Sequence, residues 1–462
     1  MNPTPLSKIA QWAGGRLLAG RADALIQDVC TDSRALKAGS LFVALRGENF
    51  DGHEFIAEAA RLGAAGAIVE QAPAGLPADF GIIEVLDTLK GLQALGANYR
   101  DTLSAKVVGI TGSNGKTSTK DATAAVLGRR YKTAKTEGNL NNHIGVPLTL
   151  LGLDASHEAA VVEMGMNHAG EIAPLAAMAR PDAAIITNIG VAHIEFMGSR
   201  EAIAQEKGVL AEAVSSHGTV VLNADDDFTT RIAARCRGRV VTAGIRSGDV
   251  RGSDLQPSIS GTKFRVHVSG RFVDAELPVP GEHMVRNALL AVAAGLALGV
   301  TLEECAAGLG ELKLSKGRLQ QKAIGGLLIL DDSYNANPDS MAAGLATLAQ
   351  LPGPGRRIAV LGRMGELGSE AERGHRRVGQ AAGSFGIACV IAVGDEARWI
   401  AEAATEAGVG KVVPVANVDE AVSALRDYAR AGDLVLVKGS RSARMERVIQ
   451  GLEAAMKGGA TA

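Results

Sequence analysis

Cysteine is scarce in this 462-residue chain: Cys30, Cys236, Cys305 and Cys389 lie far apart and form no CxxC pair. That excludes a zinc-ribbon pattern, argues against a disulfide scaffold and fits a reducing compartment. Aromatic residues make up only 3%. An excess of one charge is also missing, since 48 Lys and Arg face 50 Asp and Glu for a net charge of −2. Such a balance offers no sequence-wide attraction to nucleic acid or to an anionic membrane, although a local basic cleft stays open. Long apolar runs are absent as well. The longest, Ala288 to Val300, falls short of the ~20 residues of a membrane span. The N-terminal MNPTPLSKIAQW has no signal-peptide core. A cytoplasmic chain without membrane insertion or nucleic-acid partner is expected.

Glycine is what the chain has in quantity, with 57 residues. Many glycines mean tight turns and loops where backbone can approach a ligand. The length suggests two to four domains at roughly 100–200 residues each. In the first part, Ser40–Leu45 and Ala67–Glu70 read as strands, with helices over His53–Leu62 and Leu89–Leu103. Apolar runs Lys106–Ile110, Ala159–Val162, Ala183–Ile186 and Thr219–Leu222 alternate with helical stretches, as in a doubly wound parallel sheet. From Val250 to Ala275 apolar and polar residues alternate, which predicts an antiparallel flank. A linker is expected at Leu312–Gly317. Beyond it five strand runs follow: Leu327–Leu330, Ile358–Leu361, Val390–Val393, Val412–Val415 and Leu434–Val437. The expected α/β architecture has three domains. A small α/β domain spans residues 1–104, a central P-loop doubly wound sheet 105–316, and a C-terminal Rossmann-like open sheet 317–462.

The sharpest motif is Thr111-Gly112-Ser113-Asn114-Gly115-Lys116-Thr117, with Ser118 next, between a strand and a helix. Amides of such a loop can wrap phosphate oxygens at a helix N-terminus. Lys116 would add a point charge and Thr117 a hydroxyl for Mg²⁺. The spacing departs from strict GxxxxGK[ST], because Ile110 stands five residues before Gly115. Glu163 ends the 159–162 strand and His193 follows the 183–186 strand, both at the edge where open α/β sheets bind ligands. A carboxylate there can complete a Mg²⁺ shell with ATP oxygens and waters. Lys207 by itself reads as a solvated helix lysine. Asn139, Asn141 and Asn142 form a cluster that either turns the chain or hydrogen-bonds a polar ligand. In the last domain, the loop with Asp332, Tyr334, Asn335 and Asn337 and the loop with Lys438 and Ser440 both follow strands. Each is a polar substrate-contact candidate or merely a cap.

Together, TGSNGKT, EGNLNNHIGVP, EMGMNHAGEI, the Asn188–His193 loop, PGEHMVRNALLA, KGRL, DDSYNANPDS and VKGSRS resemble the Mur ligases, in family order along nearly the whole chain. The resemblance implies an ATP-dependent, ADP-forming amide-bond ligase of peptidoglycan precursor synthesis. The pairing of NHAGEI with DDSYNANP, MGELG and LVKGSRS is similar to the branch that joins D-alanyl-D-alanine (D-Ala-D-Ala) to a UDP-N-acetylmuramoyl-tripeptide through an acyl phosphate. It further implies ATP phosphates on residues 111–117, one Mg²⁺ on Thr117 and Glu163, and a second near His193 and a carbamylated Lys207. His283 and Asn287 would contact adenine, while Arg318 and Asp332 would reach the nucleotide from the third domain. Ser33, Arg34, Phe42, Gly47, Asp51 and His53 resemble the UDP-sugar site, and a monomer is expected. Two departures stand out: Arg363 replaces the Asp usual in GDMxELG, and the DNPR signature of the preceding ligase step is absent. A folylpolyglutamate-type ligase and a non-catalytic relative remain alternatives, the first disfavoured by TDSR and DGH, the second by retention of Lys116, Glu163 and His193.

Overall fold

The computed structural model describes residues 1–458; residues 459–462 of the expected third domain lie outside the described residues. Three separate large sheets follow one another along the chain. The first has five strands in the order Arg16–Ala19, Gly81–Glu84, Gly66–Val69, Leu41–Val43, Val29–Cys30. Only its first pair is antiparallel. The helix expected from His53 starts later, at Ile56–Arg61, after a 3₁₀ turn over Gly52–Phe55. Asp51 causes the delay, because its carboxylate caps that turn by accepting His53 N. The helix Thr88–Arg100 is N-capped by Asp87 and buries Leu92, Leu95 and Tyr99. Tyr99 donates its hydroxyl to Leu153 O at 2.7 Å and so fastens the first unit to the second.

The second sheet has nine strands. Its centre is Lys106–Thr111, paired in parallel with Ala159–Glu163 on one side and Ala183–Ile186 on the other. Ile110 stands opposite Glu163 and Thr111 opposite Ile186, so three loops leave the sheet at one carboxyl edge. Alternation along the strand feeds two cores: Val107 packs with Ala160, Val162 and Ala184, whereas Val108 and Ile110 pack with Val161 and Ile185. The apolar run 288–300 belongs to the buried helix Glu282–Ala297. Two strands of this sheet went unread in the sequence, Thr133–Lys135 and Arg239–Gly244, as did Arg16–Ala19, Val29–Cys30 and Gly81–Glu84 of the first sheet. Thr133–Lys135 is a three-residue edge and Arg239–Gly244 is only half buried, so neither carries a continuous buried-strand run. The expected antiparallel flank is a meander of Val250–Ser258, Gly261–Val268 and Arg271–Leu277.

The third sheet runs Gln320–Ile324, Leu327–Asp332, Leu434–Lys438, Arg357–Gly362, Cys389–Val393, Lys411–Val415. Its first strand was also unexpected. Gly325 and Gly326, at φ 57° and 80°, make a two-residue turn with both φ positive, which a Gly-Gly pair takes without strain, folding Gln320–Ile324 back as an antiparallel edge. All other pairs are parallel. Asp332 and Lys438 are register partners at the ends of neighbouring strands.

Candidate active site

One cleft of about 1,310 Å³ lies where the carboxyl edges of the second and third sheets face each other. That exceeds the roughly 300–1,000 Å³ of a pocket for one small ligand. Its floor is the phosphate loop. Gly112 has φ 149°, and a Cβ there would lie 1.8 Å from Thr187 Oγ1; at Gly115, φ 79°, it would lie 2.6 Å from Asn287 Oδ1. Both positions therefore require glycine. The amides of Ser113 and Asn114 are already taken by Asn188, through its backbone O and its Oδ1, each at 2.9 Å. Thr111 is fully buried at the strand end, and neither it nor Gly112 lines the cleft. The backbone N–H groups left without intrahelical acceptors are those of the loop from Gly115 and the first helical turn, Lys116, Thr117 and Ser118.

Lys116 donates to Gly112 O at 2.7 Å. Burial lowers its pKa, Glu163 opposes that, and Arg318 adds to it. Arg318 reaches in from the third sheet's side, 3.5 Å from Thr117 Oγ1 and stacked 4.4 Å over the Tyr334 ring. Neither cation has an acid within ion-pair distance among the described residues. They are the free positive charges over the loop.

Thr117 Oγ1 lies 3.3 Å from Glu163 Oε1, which also accepts Asn141 Nδ2 at 2.8 Å. Glu163 is buried, and its Oε2 lacks a hydrogen-bond partner although Lys120 Nζ, also buried, lies 3.8 Å away. An acceptor left open beside a hydroxyl suits a hard cation. No cage of three or more His, Cys, Asp or Glu exists among the described residues. His193, at φ 63°, lies on the same edge. Lys207 is fully buried and its Nζ has no partner, because the neighbouring Glu206 is occupied by the amides of Gly170 and Ile172 at 2.8 Å. Burial, then the charge of Lys116, push its pKa well below the ordinary value, so Lys207 is a buried amine and not the solvated helix lysine its sequence position suggests.

Across the cleft, Lys438 Nζ lies 2.5 Å from Asp332 Oδ2 and 3.0 Å from Asn335 O. Its ammonium, lowered by burial against the pull of Asp332, holds those groups and is not free for a substrate. Asn337 lines the cleft while it N-caps the helix Pro338–Gln350 and donates Nδ2 to Asn114 Oδ1 at 2.7 Å. Asn142 accepts the amides of Ile144 and Gly145, so it orders the start of the helix Gly145–Leu151. Asn141 serves Glu163, and Asn139 stays exposed on the rim. Tyr334, Asn335 and Ser440 line the cleft. His283 and Asn287 do too, with the His283 pKa lowered to about 4 by burial against the charge of Asp332.

None of the first-unit candidates borders this cleft. Phe42 is 2% exposed in the core of that unit, and a side chain packed inside cannot meet a ligand. Ser33, Arg34, Gly47, Asp51 and His53 stay at or near the surface, with Asp51 Oδ1 2.6 Å from His53 Nδ1. Sequence reading missed Asn188, Lys120, Asp225, Arg286 and Glu366. Asp225, buried and paired with Arg286 at 3.3 Å, follows the strand Thr219–Asn223, the one signal that could have marked it.

A phosphate loop, a carboxylate for a cation and a third α/β unit across the same cleft define a nucleotide-using enzyme assembled from several units. Residues 25–100, 110–295 and 317–441 match the descriptions "Mur ligase family, catalytic domain", "Mur ligase middle domain" and "Mur ligase, glutamate ligase domain". The UDP-N-acetylmuramoyl-tripeptide–D-alanyl-D-alanine ligase of Escherichia coli K12 is 39% identical, covering 97% of this chain and 98% of its own. The ligase of that name from Bacillus subtilis is 38% identical, with 93% of each chain covered. The crystal structure of MurF from Acinetobacter baumannii superposes with TM-score 0.89 at 34% identity, covering 98% and 99%. MurF from Thermotoga maritima in complex with ADP gives 0.83 at 29%, covering 93% and 98%. The chain belongs to the Mur ligase family.

Proposed function

We propose that this enzyme joins D-Ala-D-Ala to a UDP-N-acetylmuramoyl-tripeptide at the expense of ATP, forming ADP and phosphate, in peptidoglycan precursor synthesis. The observation that carries the chemistry is a pair of cations without acidic partners among the described residues, Lys116 and Arg318, meeting over the phosphate loop from two different units. The identity of both substrates rests on full-length relatives of that name. Residues 1–104 would hold the UDP end, 105–316 the ATP and 317–462 the dipeptide, in a monomer working in the cytoplasm.

In the first step a carboxylate oxygen of the tripeptide bonds to the γ-phosphorus, the bond to the β-phosphate oxygen breaks, and ADP leaves. A carboxylate and a triphosphate repel one another, so preorganised positive charge is the main requirement. Lys116 and Arg318 supply it, and the amides at the start of the helix Lys116–Leu127 add their dipoles. Mg²⁺, held by Thr117 and Glu163 with His193 and a carbamylated Lys207 nearby, would neutralise phosphate charge when bound. In the second step the dipeptide amine bonds to the acyl carbon, loses a proton, and phosphate departs. Asp332, fixed by Lys438, faces that side of the cleft and orients the entering groups.

Phosphate release from ATP tests the reading, measured with the UDP-tripeptide carrying diaminopimelate or lysine, with and without D-Ala-D-Ala. Release that requires both substrates is expected, and Lys116→Ala abolishes it while far-UV circular dichroism stays unchanged. Release indifferent to D-Ala-D-Ala, or none with either tripeptide, overturns it.

A further inference from the structure

The segment Gly362-Arg363-Met364-Gly365-Glu366-Leu367-Gly368 carries the Arg363 departure and has no assigned role. Its structure singles out one residue. Glu366 has φ 61° and His193 has φ 63°. Both are non-glycine residues in the left-handed region, a conformation that costs roughly 1–3 kcal/mol and persists only where the surroundings hold it. The two residues come from different units and face each other. Glu366 Oε2 lies 2.6 Å from His193 Nδ1, within ion-pair distance but outside hydrogen-bond alignment. The main chain is fastened beside it, since Glu195 N donates to Glu366 O at 3.4 Å. Gly368, φ 52°, leaves its missing side chain only 3.0 Å from Glu195 Cγ. Arg363 turns away to Glu396 at 3.5 Å, so its substitution leaves the contact untouched. Nε2 of His193 has no partner among the described residues, and both residues line the cleft.

We propose that Glu366 is a positioning residue acting through His193: this third-unit carboxylate holds the imidazole with its proton on Nδ1 and Nε2 free toward the cleft. A ring nitrogen bonded to a carboxylate fixes the other as a basic, oriented ligand, and removing such a carboxylate commonly costs about 10–100-fold in metal affinity or activity. The carboxylate comes from another unit, so His193 is oriented only while the third unit is docked. The metal part rests on the ligase reading above; the orientation of His193 does not.

The test uses the full chain and three variants, Glu366→Ala, Glu366→Asp and His193→Gln. Nitrogen-15 spectra of the ring nitrogens, with the His193 signals identified by their loss in His193→Gln, report the tautomer directly. Wild type is expected to show the Nδ1–H form, which Glu366→Ala replaces by a tautomer mixture and Glu366→Asp partly restores. Binding of Mn²⁺ with a non-hydrolysable ATP analogue, read by electron paramagnetic resonance, should weaken about 10–100-fold in Glu366→Ala. In turnover, kcat should fall with little change in KM for the UDP-tripeptide. An unchanged tautomer, or Mn²⁺ affinity within about twofold of wild type, overturns the proposal even where thermal stability drops. Absent ligase activity with the Nδ1–H form intact in wild type and lost in Glu366→Ala would instead sink the functional reading and leave the orientation standing.

Discussion

At the residue scale, the cleft is governed by charges whose partners lie on neighbouring strands. Asp332 and Lys438 are both nearly buried and 2.5 Å apart. Removing one partner of a buried pair strands the other, at a cost of about 3–5 kcal/mol. Asp332→Ala is therefore expected to lose both stability and turnover, whereas Asp332→Leu combined with Lys438→Met regains most of the stability and none of the activity. Urea denaturation beside phosphate-release assays separates the two. A single variant that stays fully stable would mean that the pair is not coupled. His283 makes a pH prediction. Its folded pKa of about 4 lies below the ordinary 6.5, so between those values the unfolded chain binds the extra proton. Stability contributed by the neutral ring is complete above 6.5 and is lost as pH falls toward 4, by at most about 3 kcal/mol. His283→Asn should lack that increment when denaturation curves near pH 7.5 and pH 4.5 are compared; equal losses in both proteins would refute it.

At the element scale, buried runs were legible in the sequence because hydrophobic strands bounded by glycine loops have few alternatives. Lys106–Thr111, Ala159–Glu163 and Leu434–Lys438 came out within a residue of their reading. The edge strands Thr133–Lys135 and Gln320–Ile324 did not, since their existence depends on pairing and on a Gly-Gly turn more than on their own composition. The site was legible as a set of loops but not as a set of contacts. Phe42 carried a motif position yet lies inside, and Asn188 took the amides that the loop motif seemed to offer a phosphate. A second tie emerged only in three dimensions. Asp121, buried on the phosphate-loop helix, accepts Lys135 Nζ at 2.7 Å and both N and Oγ of Ser315 at 2.8 Å. It anchors the irregular segment that leads to Arg318. Asp121→Ala leaves buried Lys120 beside fewer negative charges and frees that segment, so a loss of about 3 kcal/mol or more is expected. Ser315→Ala removes one hydrogen bond of several and should cost about 1 kcal/mol. Thermal unfolding distinguishes them, and equal effects would contradict an anchoring role for the carboxylate.

At the scale of the whole molecule, a chain with net charge −2 places Lys116 and Arg318, neither with an acid within ion-pair distance among the described residues, where two units meet. The third unit touches the second through a handful of polar contacts at the cleft, the shorter among them Asn337 to Asn114 at 2.7 Å, Asp339 accepting Val191 N at 3.2 Å, and Glu366 beside His193. Arg318 to Thr117, Thr347 to His283 and Glu195 N to Glu366 O lie at 3.4–3.5 Å. Contacts so few can hold the docked arrangement and still release it for substrates to enter. Asn337 allows a clean separation of two roles, because Asp is as good an N-cap as Asn but has no N–H to donate. Asn337→Asp should leave the helix Pro338–Gln350 capped and the melting temperature close to wild type. It sets a carboxylate against Asn114 Oδ1, and Asn114→Ala removes the same bond from the other side. One hydrogen bond of about 1 kcal/mol shifts the docked population roughly fivefold. Both variants should then show a larger radius of gyration by small-angle X-ray scattering, together with a lower kcat, while ATP affinity falls less because Lys116 and the helix amides are unchanged. If scattering and kcat both match wild type in the two variants, docking of the third unit does not depend on this contact, and Asn337 is a helix cap alone.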